Sequence, residues 1–160
     1  MRRTPSRLAG LMALTLVTLA PAAAAQSVPD LSGTWVLVPD KSDFGPMPGP
    51  TSRTDIIDHK EPALTIKRTQ MTPQGEVSAN LVYAVDGKPY KNIAAGNEVT
   101  STLKWEGQTL VIVSTISTPN GDANITDRLS LSSDGKTLTQ ARTISFQGQE
   151  VSQTIVLAKQ

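Results

Sequence analysis

Between Val99 and Leu157 the chain is interrupted at near-regular intervals by turn signals, at Gly107-Gln108, Asn120-Gly121, Asp134-Gly135 and Gln147-Gly148. The segments between them alternate in polarity. Short alternating runs joined by Gly-containing dipeptides are the signature of half-buried strands linked by tight hairpins. A two-residue loop at each signal sets Trp105 opposite Leu110, Leu103 opposite Ile112 and Val99 opposite Ile116. Further along, it sets Ile116 opposite Ile125, Ile112 opposite Leu129, Leu110 opposite Leu131 and Leu131 opposite Leu138. It also aligns Ile125 with Ile144, Ile144 with Val151 and Leu138 with Leu157. A slip of one residue in any hairpin would turn one arm's apolar set to the wrong side. The four hairpins agree, so this region reads as a five-strand antiparallel meander with one apolar face.

The same counting extends upstream. Strands are expected at 31–38, 53–60, 63–72, 76–85 and 88–94, with breaks at Glu61-Pro62, Gln74-Gly75, Asp86-Gly87 and Gly96-Asn97. Ile57 then faces Ile66, Ile66 faces Tyr83, Leu64 faces Val85, Tyr83 faces Tyr90 and Ala94 faces Val99. The opposite face is rich in Thr, which suits a solvated pleated surface. The expected fold is all-β: an antiparallel up-and-down meander of about ten strands. Twisted sheets of that size rarely stay open, and closure removes the edges that invite aggregation. A closed barrel follows. The connector 39–52 carries Pro39, Pro46, Pro48 and Pro50, which excludes a long helix or a central strand there. One helical turn over Lys41 to Phe44 is expected, with Phe44 tucked inward.

Residues 1–25 read as a signal peptide. Arg2, Arg3 and Arg7 precede the apolar run Leu8 to Ala20, and Ala23-Ala24-Ala25 forms the cleavage site before Gln26. The run is shorter than the roughly 20 apolar residues of a membrane span, so no integral membrane segment is expected after cleavage. Residues 26–160 then form one domain, in the periplasm or secreted, and expected to be a monomer. Three of the 15 basic residues leave with the leader, which sets 12 against 14 acidic residues, a net charge of −2. Such a chain has no electrostatic footprint for nucleic acid. It has no Cys, so packing alone must hold the barrel, and thiol catalysis and thiolate metal sites are excluded.

Gly33-Thr34-Trp35, close to the start of the mature chain, resembles the G-x-W of calycins, the superfamily of lipocalins and fatty-acid-binding proteins. The resemblance covers the mature chain in architecture and a few residues in motif. Ten strands without a C-terminal helix match the fatty-acid-binding branch better than the eight-stranded lipocalins. The resemblance implies an interior site for a small hydrophobic or amphipathic ligand. It also implies an Arg packed over the G-x-W Trp at the closed end, a place Arg142 could take. In the fatty-acid-binding branch interior Arg and Tyr hold a carboxylate, and the last strand shows R-x-Y, where this chain has Gln153-Thr154-Ile155. That branch also puts a two-helix lid between its first two strands. The connector 39–52 is too short and Pro-rich for one.

Motifs of known catalytic chemistry are absent: there is no G-x-S-x-G, H-E-x-x-H, P-loop or G-x-G-x-x-G. The single His, His59, has Asp55 on its face of the strand, but roughly 13 Å away at ~3.3 Å per residue. It is expected to be a solvated residue near a loop. No nucleophile–base pair can be drawn, so the expectation is a protein that is not an enzyme, with no cofactor and no metal.

The polar exceptions on the apolar face carry more information. In the register above they form one oblique row, Asp55–Arg68–Leu81–Asn92–Ser101–Ser114–Asp127–Arg142–Gln153, polar at every position but Leu81. The apolar residues alone set this register, so the alignment of the polar ones is independent of it. Two readings stay open. The row is either a self-satisfied buried network, in which Asp–Arg pairs neutralise each other, or the wall of a ligand cavity. In the second reading Arg68 and Arg142 meet a polar or anionic head group, with Tyr83 and Tyr90 as hydroxyl partners and Asp55 and Asp127 orienting the guanidiniums. The remaining row members, Asn92, Ser101, Ser114 and Gln153, complete that candidate site. Gly33, Ala79, Ala94, Ser101 and Ser114 are small, and inward aromatic bulk is limited to Trp35, Tyr83, Tyr90 and Trp105. A partly open interior is therefore expected. The competing function is an envelope interaction or inhibitor protein with a solid barrel, which would act through loops such as 39–52.

Overall fold

The computed structural model describes residues 27–160, so the signal peptide read at 1–25 lies outside the described residues. Ten antiparallel strands run in meander order: β1 Gly33–Leu37, β2 Ser52–Lys60, β3 Ala63–Thr72, β4 Gly75–Ala84, β5 Tyr90–Ala94, β6 Asn97–Glu106, β7 Thr109–Thr118, β8 Gly121–Leu131, β9 Thr137–Phe146 and β10 Gln149–Lys159. The sheet order is β4-β3-β2-β1-β10-β9-β8-β7-β6-β5. The first and last strands pair, Trp35 opposite Lys159 and Leu37 opposite Leu157, and this closes the barrel except at one seam between β4 and β5.

The alternation read from sequence appears on the strands except in β7, where Val111 is buried along with Leu110 and Ile112, and three hairpin loops sit elsewhere than expected. The β3–β4 loop is Pro73-Gln74, the β5–β6 loop Ala95-Gly96 and the β7–β8 loop Pro119-Asn120. Each register therefore shifts by two residues. Ile66 faces Leu81, Arg68 faces Ala79, Asn92 faces Val99 and Ile116 faces Ala123. A shift of two preserves the buried face, which is why the apolar pattern could not detect it. In two of the loops Pro takes the first position, where its fixed φ suits a type I turn, and Gly75 or Gly121 follows the loop at φ 117°. In the third, Ala95 itself holds φ 49°, an uncommon state for a residue with a Cβ, and Gly96 follows at 79°.

The expected β4–β5 hairpin at Asp86-Gly87 does not form. Val85 N–H extends the β3–β4 ladder to Pro62 O, Gly87 N–H bonds to Leu103 O on β6, and Pro89 has no N–H to give a ladder. One side chain bridges the seam. Asn92 Oδ1 accepts from Val82 N–H at 2.8 Å, and its Nδ2 donates to Val82 O at 3.1 Å, as a paired strand residue would.

The two ends of the barrel differ. At one end Leu31, Trp35, Leu64, Leu103, Leu110, Leu138 and Leu157 pack into a solid core with at most 1% exposure each. Trp35 Nε1 donates to Leu31 O at 2.9 Å. The cation over its ring is Lys159, with Nζ 5.3 Å from the centroid, and not Arg142 as the resemblance implied. Gly33 leaves room for this lysine: a Cβ there would lie 2.7 Å from Lys159 Cε.

His59 also differs from expectation, for it is 7% exposed. Its Nδ1 accepts from Leu31 N–H at 3.3 Å and its Nε2 bonds Glu61 Oε1 at 2.8 Å, while Glu61 also takes Trp105 Nε1 at 2.6 Å. The N-terminal arm folds over the strand end and buries the imidazole, and no local sequence signal reports that.

At the other end the connector after β1 makes a 3₁₀ turn at Pro39–Lys41, earlier than the expected turn, and continues as an extended strap. Asp43 pairs with Thr154, and Phe44 packs inward against the core as expected. Gly49 lies flat against the Phe44 ring, where a Cβ would clash. The strap has no two-helix lid.

Candidate functional site

Between the solid end and the strap end lies a cavity of about 250 Å³. Its wall is mostly apolar, with Ile66, Leu81, Val99, Ile112, Ile125 and Leu129, and the small residues Ala79, Ala94 and Ala95 also line it. Arg68, Tyr83, Ser114, Asp127, Gln140 and Arg142 supply its polar part.

The charged side chains form one connected network. Asp55 accepts four hydrogen bonds, two from Arg53 at 3.0 and 2.6 Å and two from Arg68 at 2.9 Å each. Asp127 accepts two from Arg142, at 2.7 and 3.0 Å, and one from Gln140 Nε2 at 2.8 Å. Gln140 joins the two halves, because its Oε1 accepts from Arg53 Nη2 at 2.9 Å. The order along the network is Arg68–Asp55–Arg53–Gln140–Asp127–Arg142.

Three guanidiniums thus meet two carboxylates, which leaves one positive charge in excess. Burial, together with the neighbouring Arg68, pushes Arg53 down to about 10 despite its contact with Asp55. Burial alone would raise the Asp55 carboxyl, but Arg68 and Arg53 outweigh it and hold it well below the ordinary carboxylate range. Asp127 is also lowered, burial being outweighed by Arg142. Burial raises the Tyr83 hydroxyl. No buried side-chain N or O atom among the described residues lacks a partner.

Of the nine residues proposed from sequence, Arg68, Tyr83, Ser114, Asp127 and Arg142 line the cavity. Ser101 lies just behind, its Oγ 2.7 Å from that of Ser114. The other three are engaged elsewhere. The Tyr90 hydroxyl donates to Asp86 at 3.0 Å, Asn92 is committed to the Val82 backbone at the seam, and Gln153 Nε2 donates to Phe44 O at 3.1 Å. The oblique row is broken accordingly. Asp55–Arg68, Ser101–Ser114, Asp127–Arg142 and Arg142–Gln153 stand opposite each other, but Asp127 faces Ile112 instead of Ser114, and Tyr90 instead of Asn92 faces Ser101.

Arg53 and Gln140 were missed, although parity places both inward: Arg53 is two residues before Asp55, and Gln140 lies between Leu138 and Arg142 at steps of two.

Solved structures share this architecture, and 68 chains match. One is zebrafish ileal bile acid-binding protein complexed with cholic acid, at 18% identity and a TM-score of 0.57, covering 81% of this chain and 98% of that one. The fold is calycin-like. A point mutant of the fluorescent protein UnaG aligns at 17% identity and a TM-score of 0.59, over 81% of this chain and 95% of its own. The fatty-acid-binding protein from Manduca sexta aligns at 16% and 0.52, over 81% and 99%. No protein-family model and no curated protein matches the sequence.

Proposed function

We propose that this protein is an exported binding protein that takes a small amphipathic molecule into its barrel, with a polar or anionic head group at Arg68 and Arg142. The observation that carries the reading is the cavity wall itself. Apolar side chains surround two guanidiniums whose network holds one more positive charge than negative. A monoanion would balance that charge in a region of low dielectric. Each of the two arginines binds its carboxylate through Nε and Nη2, which leaves Nη1 for a ligand.

At about 250 Å³ the cavity is just below the ~300–1,000 Å³ of common ligand pockets, so the ligand is small or leaves part of its chain outside. The bile acid-binding and fatty-acid-binding barrels of similar architecture support the class. Gln153 occupies the place of the R-x-Y arginine and is held by the strap, so the head group is assigned to different strands here. The solid-barrel alternative fits less well, because the interior is filled at only one end.

Titrating a fluorescent fatty-acid-like probe into wild type, Arg142→Gln and Arg68→Gln should show binding weakened about tenfold in each variant, ~1.4 kcal/mol per lost head-group contact. Absence of binding by folded wild type, or equal binding by all three, would remove the assignment and leave the network as a structural one. Export is read from the basic and apolar leader. Intact-mass analysis of protein recovered outside the cytoplasm should find a chain beginning at Gln26 or within a residue or two of it. A retained leader on exported protein would refute the cleavage site.

A further inference from the structure

Ser101 and Ser114 stand opposite each other on β6 and β7, both buried, with Val99, Leu103, Ile112 and Ile116 as their inward neighbours on the same strands. Two hydroxyls in such surroundings cost desolvation that Ala or Val would not. The Oγ–Oγ distance of 2.7 Å shows that they satisfy each other once. One hydrogen bond consumes one of their two protons and leaves the second proton and the remaining lone pairs unassigned.

If Ser101 donates, the free proton belongs to Ser114, which forms part of the cavity wall. If Ser114 donates, its lone pairs stay open to the cavity, whose wall also carries Tyr83. The relay can therefore present either a donor or an acceptor at Ser114, by rotation about C–O bonds alone. It is separate from the guanidiniums, which are oriented by Asp55 and Asp127, while Ser114 faces Ile125 on β8.

We infer that the cavity contains a second polar subsite, centred on Ser114 and backed by Ser101, which receives a hydroxyl or carbonyl borne on the ligand's apolar part. This deepens the reading of the cavity as an amphipath site and rests on it. An oxygenated chain completes the relay, whereas an unsubstituted chain lays methylene against a hydroxyl that it cannot pair with. The ligand class narrows to hydroxylated or keto amphipaths.

The test compares decanoate with positional series of hydroxydecanoates and oxodecanoates, on wild type and on the double variant Ser101→Ala/Ser114→Ala. Removing both partners leaves no orphaned hydroxyl, so the variant should fold, and circular dichroism with a thermal melt verifies it. On wild type at least one oxygenated isomer should bind about tenfold tighter than decanoate, ~1.4 kcal/mol. The double variant should lose that preference, read as the ratio of each isomer's affinity to that of decanoate on the same protein. Decanoate binding without preference for any isomer, or a preference that survives in the double variant, would overturn the subsite and leave the amphipath reading standing. Folded wild type that binds neither decanoate nor any isomer would overturn both.

Discussion

Replacing Asp55 with Asn should cost the fold about 3–5 kcal/mol, the range found when one partner of a buried ion pair is removed. Asp55 is 1% exposed and is the shared carboxylate of two guanidiniums, Arg53 and Arg68. The amide keeps the size of the side chain but leaves two like charges facing each other with no anion between them. Urea denaturation of wild type and variant would measure the difference, and a loss below about 1 kcal/mol would show that the network contributes little.

The pH dependence has a definite sign. Asp55 and Asp127 both titrate below the ordinary carboxylate range in the folded protein. Their contribution is complete above the unfolded value of about 3.9 and is lost as pH falls from there through the lowered folded values. Wild-type stability should therefore decline progressively below about pH 4. The decline should be shallower in Asp55→Asn, which has one such carboxylate fewer.

Trp35→Ala should be comparably severe, about 3–5 kcal/mol. The ring is fully buried, holds Leu31 O through its Nε1 and carries Lys159 over its face. Alanine leaves a void among leucines and frees the N-terminal arm. The cavity lies toward the other end of the barrel, so folded variant protein should bind the amphipathic probe with little change in Kd. Denaturant midpoints test the first statement and probe titration the second. A Trp35→Ala protein as stable as wild type would show that the closed end is not the stabilising core.

The faces of the strands, their number and the closed-end Trp were all legible in the chain. So were the pairs Asp55–Arg68 and Asp127–Arg142. Inward and outward positions repeat every two residues, and a buried charge on an apolar face stands out against Leu, Ile and Val. Loop placement was less legible. Pro73-Gln74-Gly75 and Pro119-Asn120-Gly121 each offer two overlapping dipeptide loops, and the apolar pattern is indifferent to a shift of two.

Tertiary structure alone decided the rest. The β4–β5 seam has no backbone ladder, and the Gly87 N–H of the connection between its strands bonds to Leu103 O on β6. His59 is buried by an arm distant in sequence, from which Leu31 reaches it. Gln140 became the hub of the network because β2 and β9, far apart in the chain and separated by β1 and β10 in the sheet, bring it within 2.9 Å of Arg53 across the barrel interior. Periodicity along a strand reports which face a side chain takes. Contacts across the inside of a barrel depend on closure and shear, which no local pattern encodes.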